Sequence, residues 1–384
     1  MRGSSRLVRP ALFVGALAAV ALSTGRTGTA ARSAQSRWIV TDLGRDCSAH
    51  ALNERGQIVG VCGRGDSARG VLWWHGKETN LGRLRPDLVT EPGAINDRGQ
   101  VVGVATRVRP NANGGVATED HAFIWENGRI RELTAPGATL TDATAINNRG
   151  QILGYGRARP GAAPGHLFWD AGRVTAVPLE VWAMNDRGQV VGHARNAKTG
   201  SEDAYIWENG QMRDLGSLAD GAGGRSTFTS AVDINDRGQV VGISSSATGA
   251  AHPPTHAFLW QNGRMTDLTP SLGVNSDAEA VNERGQVIGS VDWTRTSETS
   301  FLWEDGRMTR LDPPGSRSLP IAIDDEGRVI CQSDPNGPFV WESGRRTSLD
   351  ANQVVAIDHG RIIGQKTDGS GHTHARLWTL TSGA

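Results

Sequence analysis

Apolar and polar positions alternate in short runs along this chain, and the runs return in a fixed order. A stretch of small residues comes first, as in Ala143-Thr144-Ala145-Ile146-Asn147. A valine-rich phrase follows, such as Gln189-Val190-Val191-Gly192. A tryptophan phrase comes third, such as His256-Ala257-Phe258-Leu259-Trp260, and a short run ending in leucine comes fourth, such as Arg264-Met265-Thr266-Asp267-Leu268. None of these runs carries the 3.6-residue spacing of an amphipathic helix. Val, Ile, Phe and Trp suit a pleated, half-buried surface, so each unit predicts four short strands.

The turns between the runs have their own chemistry. Asn235-Asp236-Arg237-Gly238 places Asn at the start of a type I turn and Gly where the chain must go left-handed, which suits a three-residue hairpin with a glycine bulge. Asn-Gly at Asn127-Gly128, Asn209-Gly210 and Asn262-Gly263 suits a type I′ turn, which needs positive φ at both positions. Each unit is therefore two hairpins forming one four-stranded sheet.

Eight copies fall into register on Gly56, Gly99, Gly150, Gly188, Gly238, Gly285, Gly327 and Gly360, with spacings of 33 to 51 residues. The period matches a propeller blade, about 40–45 residues for the best-known type. No fourth-strand phrase follows Trp378, whereas Trp38-Ile39-Val40-Thr41-Asp42-Leu43-Gly44, ahead of the first copy, aligns with fourth strands such as Met212-Arg213-Asp214-Leu215-Gly216. The expected fold is an all-β, eight-bladed β-propeller of four-stranded blades, closed by the N-terminal strand completing the last blade, which removes open sheet edges at the seam.

These phrases resemble the HAF repeat family, named for the His-Ala-Phe triplet of the tryptophan strand. His121-Ala122-Phe123 and His256-Ala257-Phe258 are full copies, and His374-Ala375-Arg376 is partial. Arg69-Gly70-Val71 and Gly165-His166-Leu167 depart from it, and the eighth copy loses a turn residue at Asp358-His359-Gly360. The match runs over nearly all of 38–380. The resemblance implies an extracellular repeat protein and supplies no catalytic residues.

The N-terminus agrees with export. Arg2, Arg6 and Arg9 precede an apolar run from Ala11 to Leu22, too short to span a bilayer, and small residues follow around Ala30-Ala31 and Ser33-Ala34. Residues 1–34 are expected to be a secretory signal peptide and 35–384 a single propeller domain, secreted or held in the cell envelope. The chain carries 40 basic and 40 acidic residues. The leader holds five arginines and no acid, so the mature chain has 35 against 40, a balance that favours neither nucleic acid nor a membrane surface. No second apolar stretch suggests a membrane span in the mature chain, and a monomer is expected.

Of three cysteines, Cys47 and Cys62 flank the first hairpin. They face each other if its loop has two residues and sit diagonally if a glycine bulge shifts the register, so a disulfide is open at this stage. Cys331 replaces the glycine of its copy.

Candidate chemistry is sparse. The turn carboxylates Asp97, Asp186 and Asp236 give way to Asn148 in another copy, which favours turn propensity over calcium ligation. Ten histidines show no metal-binding spacing, and His121, His256 and His374 share one strand position that a ring would spread apart. No nucleophile elbow or phosphate loop occurs. No cofactor is expected. Asp233 and Glu279, single carboxylates in first strands that line a propeller's channel, are the weak catalytic candidates.

Loop lengths divide the ring. The turns from strand one to two and three to four are short and repeated, whereas the other connections vary, as in Val104–Asp120, Arg83–Pro92, Ser244–Thr255 and Ser217–Ser230. Strand alternation puts both variable connections on one face, where function usually lies. That face carries Arg64, Arg107, Arg109, Arg157, Arg159, Arg195 and Trp293, with Trp182 in a first strand near the channel. Arginine and aromatic rings suit an acidic or carbohydrate ligand. The preferred function is a secreted scaffold that binds protein or glycan through this face. The alternatives are a polysaccharide hydrolase or lyase at the channel mouth and a structural envelope protein.

Overall fold

The computed structural model describes residues 37–110, 116–219, 228–246, 254–294, 297–313, 316–334 and 336–381. The expected signal peptide lies outside the described residues. Eight antiparallel sheets follow one another along the chain, four strands each, with a two-residue strand, Thr134–Ala135, added to the inner edge of the third. Their first strands are Cys47–Leu52, Val89–Ile95, Ala138–Ile146, Glu180–Met184, Thr229–Ile234, Ser276–Val281, Arg317–Ile323 and Gln353–Asp358, which number blades 1 to 8. Among the described residues no helix is long and apolar enough to cross a membrane.

The ring closes as the sequence predicts. The N-terminal strand Arg37–Arg45 pairs antiparallel with Thr373–Thr381, the third strand of blade 8, in a register that sets Val40 against Trp378. The core is divided among eight layers, each between two neighbouring blades, since both faces of every blade are covered. One layer, with Ile58, Val71 and Trp73 against Ile363 and Ala375, joins blade 1 to blade 8 and completes the circle. Trp207 and Trp378 are among the most deeply buried side chains, as large rings at a tight blade-to-blade spacing should be.

Turn chemistry follows the residues. Asn127, Asn209 and Asn262 have φ between 51° and 53° and are each followed by a glycine at positive φ, the type I′ pair. In blade 8 the lost residue leaves His359 and Gly360 at φ 45° and 67° between paired Asp358 and Arg361, a two-residue turn in place of three.

Every first strand carries an extra residue opposite its partner at one shared position, His50, Gly93, Thr144, Trp182, Val232, Glu279, Ile321 and Val355, and blade 3 carries a second at Thr141. The shared bulge explains the glycine of the valine phrase. The strand folds back so far that a Cβ on Gly192 would stand 2.0 Å from the Glu180 carbonyl oxygen. It also resolves the cysteine register. The three-residue turn shifts the hairpin by one, the bulge at His50 shifts it back, and Cys47 faces Cys62 directly. The two are joined as a disulfide. Cys331 is a buried thiol, its pKa pushed up by burial.

Candidate ligand face

The two faces of the ring are built differently. On the constant face the turns are linked into a belt. Asn53 accepts the Gln57 N–H through Oδ1 at 2.9 Å and donates through Nδ2 to the Asn96 carbonyl of the next blade at 2.8 Å. Asn96, Asn147, Asn185, Asn235 and Asn282 repeat this contact, each reaching one blade forward at 2.9 to 3.1 Å. The neighbouring turn position makes a second set of links backward. The Glu54 N–H donates to Asp97 Oδ1 at 2.9 Å, and the series continues through Asn148, Asp186, Asp236, Glu283 and Asp325. The recurring carboxylates therefore bind the adjacent blade, a role beyond turn propensity. In blade 8, the Arg361 Nη2 donates to the Glu54 carbonyl and brings the belt back to blade 1.

Acids packed side by side at a half-buried rim resist ionisation. Burial raises Glu54 to about 7, helped by the neighbouring charges of Asp97 and Asp358. Burial raises Asp236 to about 6 against the pull of the Asp186 N–H that donates to it, and the charges of Asp186 and Glu283 on either side add to the rise.

The triplet histidine also has a structural task. His121 Nδ1 pairs with Glu132 at 2.7 Å, His256 Nδ1 with Asp267 at 2.8 Å, and His374 Nδ1 with Asp42 at 2.8 Å. In each case the carboxylate stands on the fourth strand. At the seam that strand is the N-terminal one, so His374 pins the closure.

The catalytic candidates lie in different environments. Asp233 occupies the position after the bulge, where the other seven blades carry alanine. Its Oδ1 accepts the Ile234 N–H and its Oδ2 accepts the Val281 N–H of blade 6, both at 2.9 Å. Asp233 thus stitches blade 5 to blade 6. Glu279 is a half-buried bulge residue of blade 6.

On the variable face, the segment Val104–Asp120, expected as a loop, is mostly paired ribbon. Strands Val101–Pro110 and Val116–Glu126 stay in register as far as Pro110 and Val116. Arg107 on this ribbon pairs with Asp87 and Glu119, Arg85 reaches Glu119 at 2.9 Å, and Arg109 stands 3.7 Å from it. The hydrogen bond from Arg107, then that from His121, holds Glu119 down at about 2. Arg64 is likewise paired with Asp46 at 2.7 Å, and Arg157 donates to the Ala162 carbonyl. Arg159 and Arg195 are exposed on blades 3 and 4. The arginines are thus dispersed over four blades, several of them already matched by carboxylates. The side chain of Trp293 lies outside the described residues.

Trp182 is the bulge residue of blade 4 and is 38% exposed. Its Nε1 donates to His193 Nδ1 at 3.3 Å. His193 lies 3.2 Å from the Ser230 hydroxyl and packs near Phe228, both of blade 5. At the next boundary, Tyr155 and His166 of blade 3 meet edge to face, and His166 approaches Glu180 of blade 4. Sequence reading singled out Trp182 alone among these. Their signal was present: Tyr155 and His193 follow the valine-phrase glycine, where other copies carry Val61, Val104 or Ile243, and His166 replaces the alanine of the triplet.

A family model described as a protein of unknown function (DUF3466) matches residues 171–310, from the last strand of blade 3 through blade 6. No curated protein matches the sequence. Among solved structures, the β-propeller domain of the Trilobed protease from Pyrococcus furiosus is similar at 12% identity and a TM-score of 0.49, over 78% of this chain and 97% of that one. The acylaminoacyl peptidase of Pyrococcus horikoshii is similar at 11% identity and a TM-score of 0.45, over 79% of this chain and 52% of the peptidase. The Aleuria aurantia lectin, solved with Fucα1-6GlcNAc, is similar at 11% identity and a TM-score of 0.30, over 82% of this chain and 96% of the lectin. Identities this low carry no function across.

Proposed function

We propose that this protein is an exported β-propeller of the HAF-repeat type that serves as a binding scaffold, engaging protein or glycan through its variable face. The observation that carries this reading is the contrast between the faces. The constant face uses its polar groups on one another, blade to blade, in a belt of amide and carboxylate contacts. The variable face presents rings and polar side chains that differ from blade to blade, including Tyr155, Trp182 and Phe228. A rigid ring with one repetitive and one individual face is built for recognition on the individual one. The basic-apolar-small leader and the Cys47–Cys62 bond support an oxidising compartment outside the cytoplasm.

A single introduced thiol tests the reading, because Cys331 is buried and the other two cysteines are bonded. A bulky polymer coupled to Arg159→Cys on the variable face should abolish capture on glycan arrays and envelope extracts. The same polymer on Arg129→Cys, at a constant-face turn, should leave capture intact. Equal loss from both positions, or no capture by the unmodified chain, would remove the scaffold reading.

A further inference from the structure

After the valine-phrase glycine, blades 1, 2, 5 and 6 carry Val61, Val104, Ile243 and Ser290, blades 7 and 8 carry glutamine, and blades 3 and 4 carry Tyr155 and His193. Tyr155 of blade 3 and Trp182 of blade 4 are 41% and 38% exposed, and Phe228, at the entry to blade 5, is 38% exposed. Three open rings on three consecutive blades are unusual here, because the repeat's own aromatic residues are mostly buried in the blade layers. Phe228 is also fixed in place: its N–H donates to Ser245 Oγ at 3.1 Å and its carbonyl accepts the Ser245 N–H at 2.8 Å. The shared bulge position also leaves Ile321 of blade 7 exposed, so what sets blades 3 to 5 apart is that rings stand open on neighbouring blades.

Polar side chains stand between the rings. Glu180 and His193 are directly paired across the first and second strands of blade 4, so both flank Trp182. His166 Nε2 lies 3.6 Å from Glu180 Oε2 across the blade boundary, too far for a hydrogen bond between them. A hydroxyl placed there could accept from one and donate to the other. His193 Nδ1 meets both the Trp182 indole N–H and the Ser230 hydroxyl, which sets the ring's angle and leaves Nε2 as the atom to meet a ligand hydroxyl.

We infer that the boundaries of blades 3, 4 and 5 form a carbohydrate-binding site for a neutral, pyranose-based oligosaccharide. This rests on the reading of the variable face as the ligand face. A pyranose has an apolar C–H face and a rim of hydroxyls. The C–H faces stack on Tyr155 and Trp182, with Phe228 beyond, and the hydroxyls bond Glu180, His166 and His193. A protein partner would call for a continuous apolar centre with a polar rim, whereas here polar groups alternate with rings. A polyanion would call for clustered, unmatched cations, but Arg107 and Arg109 belong to blade 2 and meet Glu119, and Arg157 donates to the Ala162 carbonyl. The exposed Arg159 and Arg195 stand on separate blades, and a carboxylate, Glu180, stands at the middle of the row.

Calorimetric titration of the full chain with neutral oligosaccharides of glucose, mannose, xylose and N-acetylglucosamine tests this. At least one series should bind. Trp182→Ala and Tyr155→Ala should each weaken it about tenfold, a change of about 1.4 kcal/mol, while Tyr155→Phe retains it. Trp74→Ala, an exposed tryptophan at a constant-face turn, should change nothing, and melting temperatures of all variants should match the parent. Sugar binding that survives the double variant Tyr155→Ala/Trp182→Ala would overturn the site. So would failure of every neutral sugar while the polymer at Arg159→Cys still blocks capture of another ligand, and there the scaffold reading stands. If nothing depends on the variable face, both fall.

Discussion

The constant and variable faces are made by the same eight repeats, yet they spend their polar groups in opposite ways. On the constant face, an asparagine from each of blades 1 to 6 bonds the next blade, and a carboxylate or amide from each of blades 2 to 7 bonds the previous one. On the variable face, polar groups are tied within local clusters, as Asp46, Arg64 and His372 are at the seam. The faces also carry opposite electrostatic signatures. Packed together at a half-buried rim, Glu54, Asp236 and Asp358 hold their protons more tightly than usual. On the variable face, the half-buried Asp46, Glu119 and Asp368 and the exposed Asp350 are held below the usual range by hydrogen-bond donors. The half-buried Asp142 and the buried Asp312 follow the first pattern, raised by burial. Repetition explains the difference: a group that recurs in every blade can be satisfied by its own copy, whereas a group that occurs once must find a local partner or a ligand.

The largest effect should come from breaking one link of the belt. Asn235 accepts the backbone N–H groups of Arg237 and Gln239 and donates to Gln239 Oε1 and the Asn282 carbonyl, all near 3 Å. Asn235→Ala leaves the buried Asn282 carbonyl and the Gln239 N–H without those partners, a loss of about 4 kcal/mol. Denaturant unfolding measures it. Tyr155→Ala, on the other face, should cost less than about 1 kcal/mol by the same measurement. Similar values for the two would erase the proposed division of labour.

The second effect sharpens the comparison by marking where the variable face is itself secured. The Cys47–Cys62 bond closes 15 residues at the variable end of blade 1, beside the seam. Removing it as Cys47→Ala/Cys62→Ala should cost about 3 kcal/mol. The loss should appear first as faster amide exchange in Arg37–Arg45 and Thr373–Thr381. An unchanged seam would mean that His374 and Asp42 hold the closure without help from blade 1.

Much of this was legible in the residues because a repeat states its rule eight times. Blade count, the turn types and the closing strand follow from glycine, asparagine and valine positions. What could not be read were contacts between copies. Asp97 looks like an ordinary turn residue, and only the ring places its Oδ1 against the Glu54 N–H of the previous blade. Asp233 looks like a stray channel carboxylate, yet it meets a backbone N–H of blade 6. The cysteine register depended on two bulges that cancel, one of them set by no residue type: the eight bulge positions hold His, Gly, Thr, Trp, Val, Glu, Ile and Val. Tyr155, His166 and His193 could have been flagged as departures from their columns, but not as neighbours.

A smaller effect follows from the opposed titrations. A carboxyl whose folded pKa is raised binds more protons folded than unfolded, so stability falls as pH rises from the unfolded value to the folded one. For Glu54 that window runs from 4.5 to about 7. His359, also raised, acts in the same sense. The chain should therefore melt higher at pH 5 than at pH 8, by an amount on the order of 1 kcal/mol after solvent screening, or about 2 °C at this length. Below pH 4 the trend reverses, as Glu119 and Asp368 protonate and lose their partners. Glu54→Gln should flatten the fall between pH 5 and 8 without altering the acid limb. A melting temperature that climbs steadily from pH 5 to 8 would mean the rim acids ionise freely.

The smallest effect discriminates between the two chemistries that the variable face offers. Arg107 sits between Asp87 and Glu119 on the blade 2 ribbon, in a cluster that includes Arg85, Arg109 and His121. Ion pairs so close to solvent contribute little, so Arg107→Ala should change stability by less than about 1 kcal/mol. If the rings of blades 3 to 5 bind the ligand, the variant should bind as the parent does, with an unchanged dependence on salt. A loss of binding that deepens at low ionic strength would instead move recognition to the arginines and to an acidic ligand, because charge attraction is the contribution that salt screens and ring stacking is not.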